Sequence, residues 1–63
     1  NDIALDPTGN IYVTETSSIK IFTPDGQPIK AVDAFQAFGI TFNDAGEMFV
    51  ASRPYVLKLR VRL

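Results

Sequence analysis

Asp2, Asp6, Glu15 and Asp33 are the carboxylates that an acid–base mechanism would have to use, and Thr14, Thr16, Ser17 and Ser18 supply hydroxyls among them. The chain contains no histidine and no cysteine, so neither a Ser-His-Asp nor a Cys-His nucleophilic system can be built within it. Each acid has a plainer role. Asp6 opens a turn, Glu15 ends a strand at a loop and is expected to be solvated, and Asp33 is expected at the surface. The four hydroxyl residues read as ordinary strand and loop positions. No catalytic residue is expected, and enzyme activity, left open by the sequence, is disfavoured for this chain alone.

The cations are distributed unevenly. Residues 1 to 52 hold seven acids against Lys20 and Lys30, whereas Arg53, Lys58, Arg60 and Arg62 crowd the end of the sequence. Lys58, Arg60 and Arg62 alternate with Leu57, Leu59, Val61 and Leu63, a period of two that predicts one long strand over 55 to 63 with a basic and an apolar face. Such a face can attract phosphates, but no aromatic side chain is interleaved on it for base stacking, so nucleic acid is not the expected partner. The favoured reading is an edge strand open to a partner chain, with Lys58, Arg60 and Arg62 guarding it against indiscriminate pairing.

The elements that position these residues repeat. Ile3–Thr14 aligns with Ile40–Ala51 at a spacing of 37 residues, with Ile, Gly and Val recurring in phase. Allowing a one-residue insertion in the following loop, Ile19-Lys20-Ile21 then aligns with Leu57-Lys58-Leu59. Asp6-Pro7-Thr8-Gly9, Thr23-Pro24-Asp25-Gly26 and Asn43-Asp44-Ala45-Gly46 share the chemistry of a type I turn, an Asx or Thr side chain first and glycine fourth. Turns at this spacing between β-rich runs predict meandering hairpins, with strands at 2 to 6, 10 to 15, 18 to 23, 28 to 33, 38 to 43, 47 to 52 and 55 to 63. The apolar residues at 31, 34, 35 and 38 also fit one helical turn, but a strand running into a connection is preferred there.

Gly9-Asn10-Ile11-Tyr12-Val13, preceded by Asp2-Ile3-Ala4-Leu5-Asp6 and followed by Ile19-Lys20-Ile21-Phe22 and Gly26, closely resembles the NHL repeat of six-bladed β-propellers. Gly39-Ile40-Thr41-Phe42, Gly46, Met48-Phe49-Val50-Ala51 and the strand from Val56 resemble it again. The resemblance implies an all-β fold of antiparallel meander blades: a four-stranded blade over residues 1–37 and a three-stranded partial blade over 38–63. It implies that Tyr12, Phe22, Phe35, Phe38, Phe42, Phe49 and Tyr55 pack mostly between blades. Asp2 departs from the motif, which usually has glycine there, and Arg53-Pro54 replaces a short polar loop.

NHL propellers serve as protein-binding, RNA-binding and enzymatic scaffolds, so fold alone does not select a function. The first expectation is a structural or interaction module that binds partners or ligands once assembled with further blades, by self-association or within a larger parent protein. Asn1-Asp2-Ile3 also resembles the blade start of gluconolactonase and senescence-marker-protein relatives, in which an Asn side chain ligates calcium. The alternative is therefore a fragment of a calcium-dependent sugar-lactone lactonase-like hydrolase with Asn1 as one metal ligand, against a strand-start role for Asn1 and no cofactor. A segment of an RNA-binding NHL propeller is the second alternative.

Size supports dependence on partners. A chain of 63 residues buries only roughly 60% of its unfolded surface, and without cysteine it has no disulfide to compensate. A hydrophobic content of 46% with 21% charged residues places it among folded rather than disordered chains. No apolar run reaches membrane-spanning length and no signal-peptide pattern is present, so no membrane partner is expected. The sequence assigns no compartment. Beginning at Asn1 in phase with a strand, it is expected to be a segment of a longer protein.

Overall fold

The computed structural model describes residues 2–61, which form seven strands in two antiparallel meander sheets and no helix. The first sheet has the order β1 (Ile3–Leu5), β2 (Ile11–Thr14), β3 (Ser18–Phe22), β4 (Pro28–Asp33); the second has the order β5 (Ala37–Phe42), β6 (Met48–Ser52), β7 (Tyr55–Leu59). β5 thus opens at Ala37.

Three hairpins close through one device. In each tetrad the amide of the glycine donates to the carbonyl of the first residue, at 3.0 Å for Gly9 to Asp6, 2.9 Å for Gly26 to Thr23 and 3.0 Å for Gly46 to Asn43. The glycines take φ of 90°, 92° and 82°. A type I turn followed by a left-handed residue is a three-residue hairpin loop with a glycine bulge, which matches the twist of the flanking strands. The first side chain of each tetrad holds the next strand's start: Asp6 Oδ1 accepts from the Asn10 amide, Thr23 Oγ1 from Gln27 and Asn43 Oδ1 from Glu47.

Register settles which side chains share a face, because residues directly opposite in an antiparallel pair point to the same side. In the first sheet Ala4, Tyr12 and Ile21 align across the strands, as do Thr14, Ile19 and Val32. In the second, Ile40, Val50 and Leu57 align, as do Phe42, Met48 and Leu59. These two faces meet. Tyr12, Ile19, Ile21, Ile40, Met48 and Val50 form the buried core with Ala34 and Ala37, and the Tyr12 and Phe42 rings touch edge to face at 4.8 Å.

The same registers correct the sequence alignment of the third strands. Thr14 pairs with Ile19 and Ala51 with Val56, so the repeat continues at 37 residues without an insertion, and Leu57 corresponds to Lys20 rather than to Ile19. A one-residue slip moves every side chain to the other face. Ile19 and Ile21 are buried in the joint, while their counterparts Val56 and Lys58 face away from it.

β7 is also shorter than its alternation predicts. It ends at Leu59, which lies opposite Met48, the first residue of β6; beyond that point β6 offers no backbone to pair with. The helical turn considered near residue 34 does not form. Ala34 and Gln36 instead donate to the carbonyls of Ser17 and Thr16 at 3.0 and 2.8 Å, with Gln36 at φ 49°, tying the connection to the β2–β3 loop. Phe35, Phe38 and Tyr55, expected between sheets, are exposed.

The joint should be the main source of stability. Ile21→Ala, which empties a fully buried position, is expected to lower the unfolding free energy by about 2–5 kcal/mol. Lys20→Ala, on the exposed side of the same strand, should change it by less than about 0.5 kcal/mol. Urea titrations followed by circular dichroism compare the two.

Candidate functional site

Of the polar candidates, Asp2, Asp6, Thr14 and Lys58 take structural roles. Asn1 and Arg62 lie outside the described residues. Lys58 is engaged: its ammonium stands 2.8 Å from Glu47 Oε2, while the Asn43 amide donates to Glu47 Oε1 at 2.8 Å. These contacts hold the Glu47 carboxyl below its ordinary value, the Lys58 hydrogen bond being the main cause. The basic face therefore contains an internal ion pair, and Arg60 follows β7 as an exposed residue. On the other sheet Lys20 pairs with Glu15 at 3.3 Å. Asp33 is exposed.

A groove of about 770 Å³ runs along the turn end of the two sheets, with Asp6, Tyr12, Phe42, Glu47, Lys58 and Arg60 among its lining. Its acids are already occupied. Asp6 Oδ1 accepts from the Thr8 amide, the Thr8 hydroxyl and the Asn10 amide, and Oδ2 from the Asn10 side chain, at 2.8–3.1 Å. Burial opposes ionisation of Asp6, but these bonds outweigh it and lower its pKa. Burial, reinforced by the Asp6 charge and a hydrogen bond to Asp6, pushes the Tyr12 phenol up to about 12. A carboxylate with depressed basicity beside a neutral phenol is a turn anchor and its neighbour, lacking the raised carboxyl expected of a general acid. Among the described residues no three His, Cys, Asp or Glu side chains are grouped to hold a metal ion.

Asp2 has a role that sequence reasoning missed. Its amide donates to Thr14 Oγ1 at 2.7 Å and its carbonyl accepts the Thr14 amide at 2.9 Å, extending the β1–β2 pairing by one step. Its carboxylate accepts the Ile3 amide at 2.9 Å and, across to the second sheet, the Ile40 amide at 3.2 Å. The Ile40 and then the Ile3 hydrogen bonds lower its pKa. Asp2 thus clasps the two sheets where glycine would have left the Ile40 amide without this acceptor. Thr14, read as an ordinary strand residue, is fully buried as the partner of that clasp.

Beyond these polar groups, the outer faces of the two sheets present apolar residues to solvent. Ile3, Leu5, Ile11, Val13 and Phe22 share the outer face of the first sheet with Lys20, Ile3 and Leu5 being 63% and 61% exposed. Thr41, Phe49, Ala51 and Val56 share that of the second with Lys58, Val56 being 75% exposed. Single exposed apolar residues are common on proteins, but contiguous ones mark an interaction surface. No protein-family model, curated protein or solved structure matches the chain.

Asp2, Asp6 and Glu47 all have folded pKa values below their ordinary 3.8, 3.8 and 4.5. Their contribution to stability is therefore complete above those values and is lost as pH falls through the lower, folded ones. Melting temperatures should hold down to about pH 4.5 and then drop. Asp2→Ala should lower the melting temperature at neutral pH and make the acid drop shallower; an unchanged acid limb would remove the clasp from the account.

Proposed function

We propose that this chain is a structural and interaction module: a fragment of an NHL-type β-propeller, one four-stranded blade and a three-stranded partial blade, which binds partners or ligands when further blades cover its open faces. The observation that carries this reading is the inequality of the faces. The second sheet packs inward through Ile40, Phe42, Met48 and Val50, which lie 37 residues after Ile3, Leu5, Ile11 and Val13. Those four residues are the outer face of the first sheet. The chain therefore presents, unused, the surface that its own second unit uses for packing.

A two-layer protein complete in itself would carry polar residues on its outer faces. This one keeps apolar residues on both faces of β2 and β6, the pattern of strands meant to be covered twice. The 37-residue repeat, the three equivalent turns and the meander order of both sheets support the propeller assignment in particular. In this role the groove at the turn end is part of the packing seam, and the exposed loops of the assembled array are where ligands bind.

The test is static light scattering over a concentration series in the presence of an environment-sensitive apolar dye. Dilute protein is expected to bind the dye, and assembly should displace it. A cooperatively folded monomer that binds no dye at any concentration would contradict the module reading. Millimolar calcium is expected to leave the melting temperature unchanged; a rise that disappears in Asn1→Ala would favour the lactonase-like alternative instead.

A further inference from the structure

We infer that a second copy of this chain is the occupant of the open faces, docking head to tail so that the outer face of its first sheet covers the outer face of the second sheet of its neighbour. This rests on the reading of the chain as two units of a stacking repeat, and it names the partner and the joint. The argument is one of continuity with the joint already formed inside the chain. In that joint the receiving face is Ala4, Tyr12, Thr14, Ile19 and Ile21 of the first sheet, and the entering face is Ile40, Phe42, Met48 and Val50 of the second.

Each open face is the other half of this pair, displaced by 37 residues. Thr41, Phe49, Ala51, Val56 and Lys58 stand in the second sheet where Ala4, Tyr12, Thr14, Ile19 and Ile21 stand in the first, so the open receiving face has a lysine in the place of one buried isoleucine. Ile3, Leu5, Ile11 and Val13 stand where the entering residues stand. The chain thus carries one unoccupied receiving face and one unoccupied entering face of a joint it is known to make. Because the two halves differ, contact between copies is heterologous and propagates rather than ending in a two-fold dimer.

The intermolecular joint is weaker than the internal one for identifiable reasons. Gly39 occupies the place of Asp2, so the carboxylate clasp to the next sheet is missing. Lys20 stands on the entering face and Lys58 on the receiving face; each is paired with an acid of its own sheet, Glu15 and Glu47, which removes net charge but not polarity. Assembly should accordingly depend on concentration, whereas the internal joint does not.

Leu5→Lys spoils only the entering face and Val56→Lys only the receiving one; both positions are more than half exposed. By light scattering, at concentrations where the wild type assembles, each variant alone is expected to be monomeric. An equal mixture should form a heterodimer and nothing larger, since one intact face of each kind remains. Should either variant misfold by circular dichroism, Ile3→Lys and Phe49→Lys replace them on the same faces. Variants that assemble as the wild type does, or a mixture that stays monomeric, would overturn the head-to-tail joint. A wild type that stays monomeric yet binds the apolar dye would overturn the second copy as occupant while leaving the module reading intact; a monomer that binds no dye defeats both.

Discussion

Everything in this structure depends on one contact, the packing of two sheets through faces of different composition. A sheet that is apolar on one face must bury that face against another element, and here each sheet supplies the cover for the other. Brought together they enclose Ile19, Ile21 and Val50 completely, each worth about 1.5–3 kcal/mol of transfer free energy. The joint is directional, because Asp2 reaches only one way, to the Ile40 amide. At the turn end the Gly46 backbone lies near Pro7, where an added methyl would make an ordinary contact at 3.5 Å from its Cγ. The sheets therefore meet both at the strand start, through Asp2, and at the turns.

Much of the fold was legible because it is local. A glycine at the fourth corner of a turn and an Asx or Thr side chain at the first act within five residues, so three tetrads located three hairpins and, between them, the strands. The features misread are those set by distant partners. The alternation from Tyr55 to Leu63 describes side chains compatible with a strand, but a strand lasts only as long as its neighbour, and β6 begins at Met48. The apparent match of Ile19-Lys20-Ile21 with Leu57-Lys58-Leu59 was a resemblance of residue types. Backbone pairing, which the residue types of β7 alone do not determine, puts Leu57 opposite Val50 and Lys58 opposite Phe49.

Pairing sets the polar surface as well. Lys58 lies opposite Phe49 on the outer face of the second sheet, with Glu47 in reach at 2.8 Å. That member of the basic stripe is thus half of an ion pair, as Lys20 is with Glu15. Asp2 escaped notice for a similar reason. Both of its decisive partners are remote in sequence, Thr14 at 12 residues and Ile40 at 38, and nothing in an Asn-Asp-Ile start distinguishes a clasp from a metal ligand or a strand opening.

The third strands keep the 37-residue phase but differ in composition. In the first unit the third strand buries Ile19 and Ile21 in the joint and leaves Lys20 outside; in the second, Leu57 and Leu59 lie on the side of the first sheet and Val56 and Lys58 on the other. The two strands differ in what they bury: Ile19 and Ile21 are fully enclosed, Leu59 is partly buried and Leu57 is exposed. A joint between successive units brings opposite faces together, so an array needs apolar residues on both faces of each sheet, whereas an isolated pair would need none on its outer faces. β1, β2 and β6 keep apolar residues on both sides, while the third strands set Lys20 and Lys58 outside. The strands nearest the β1–β5 seam are thus those whose composition suits stacking on both sides.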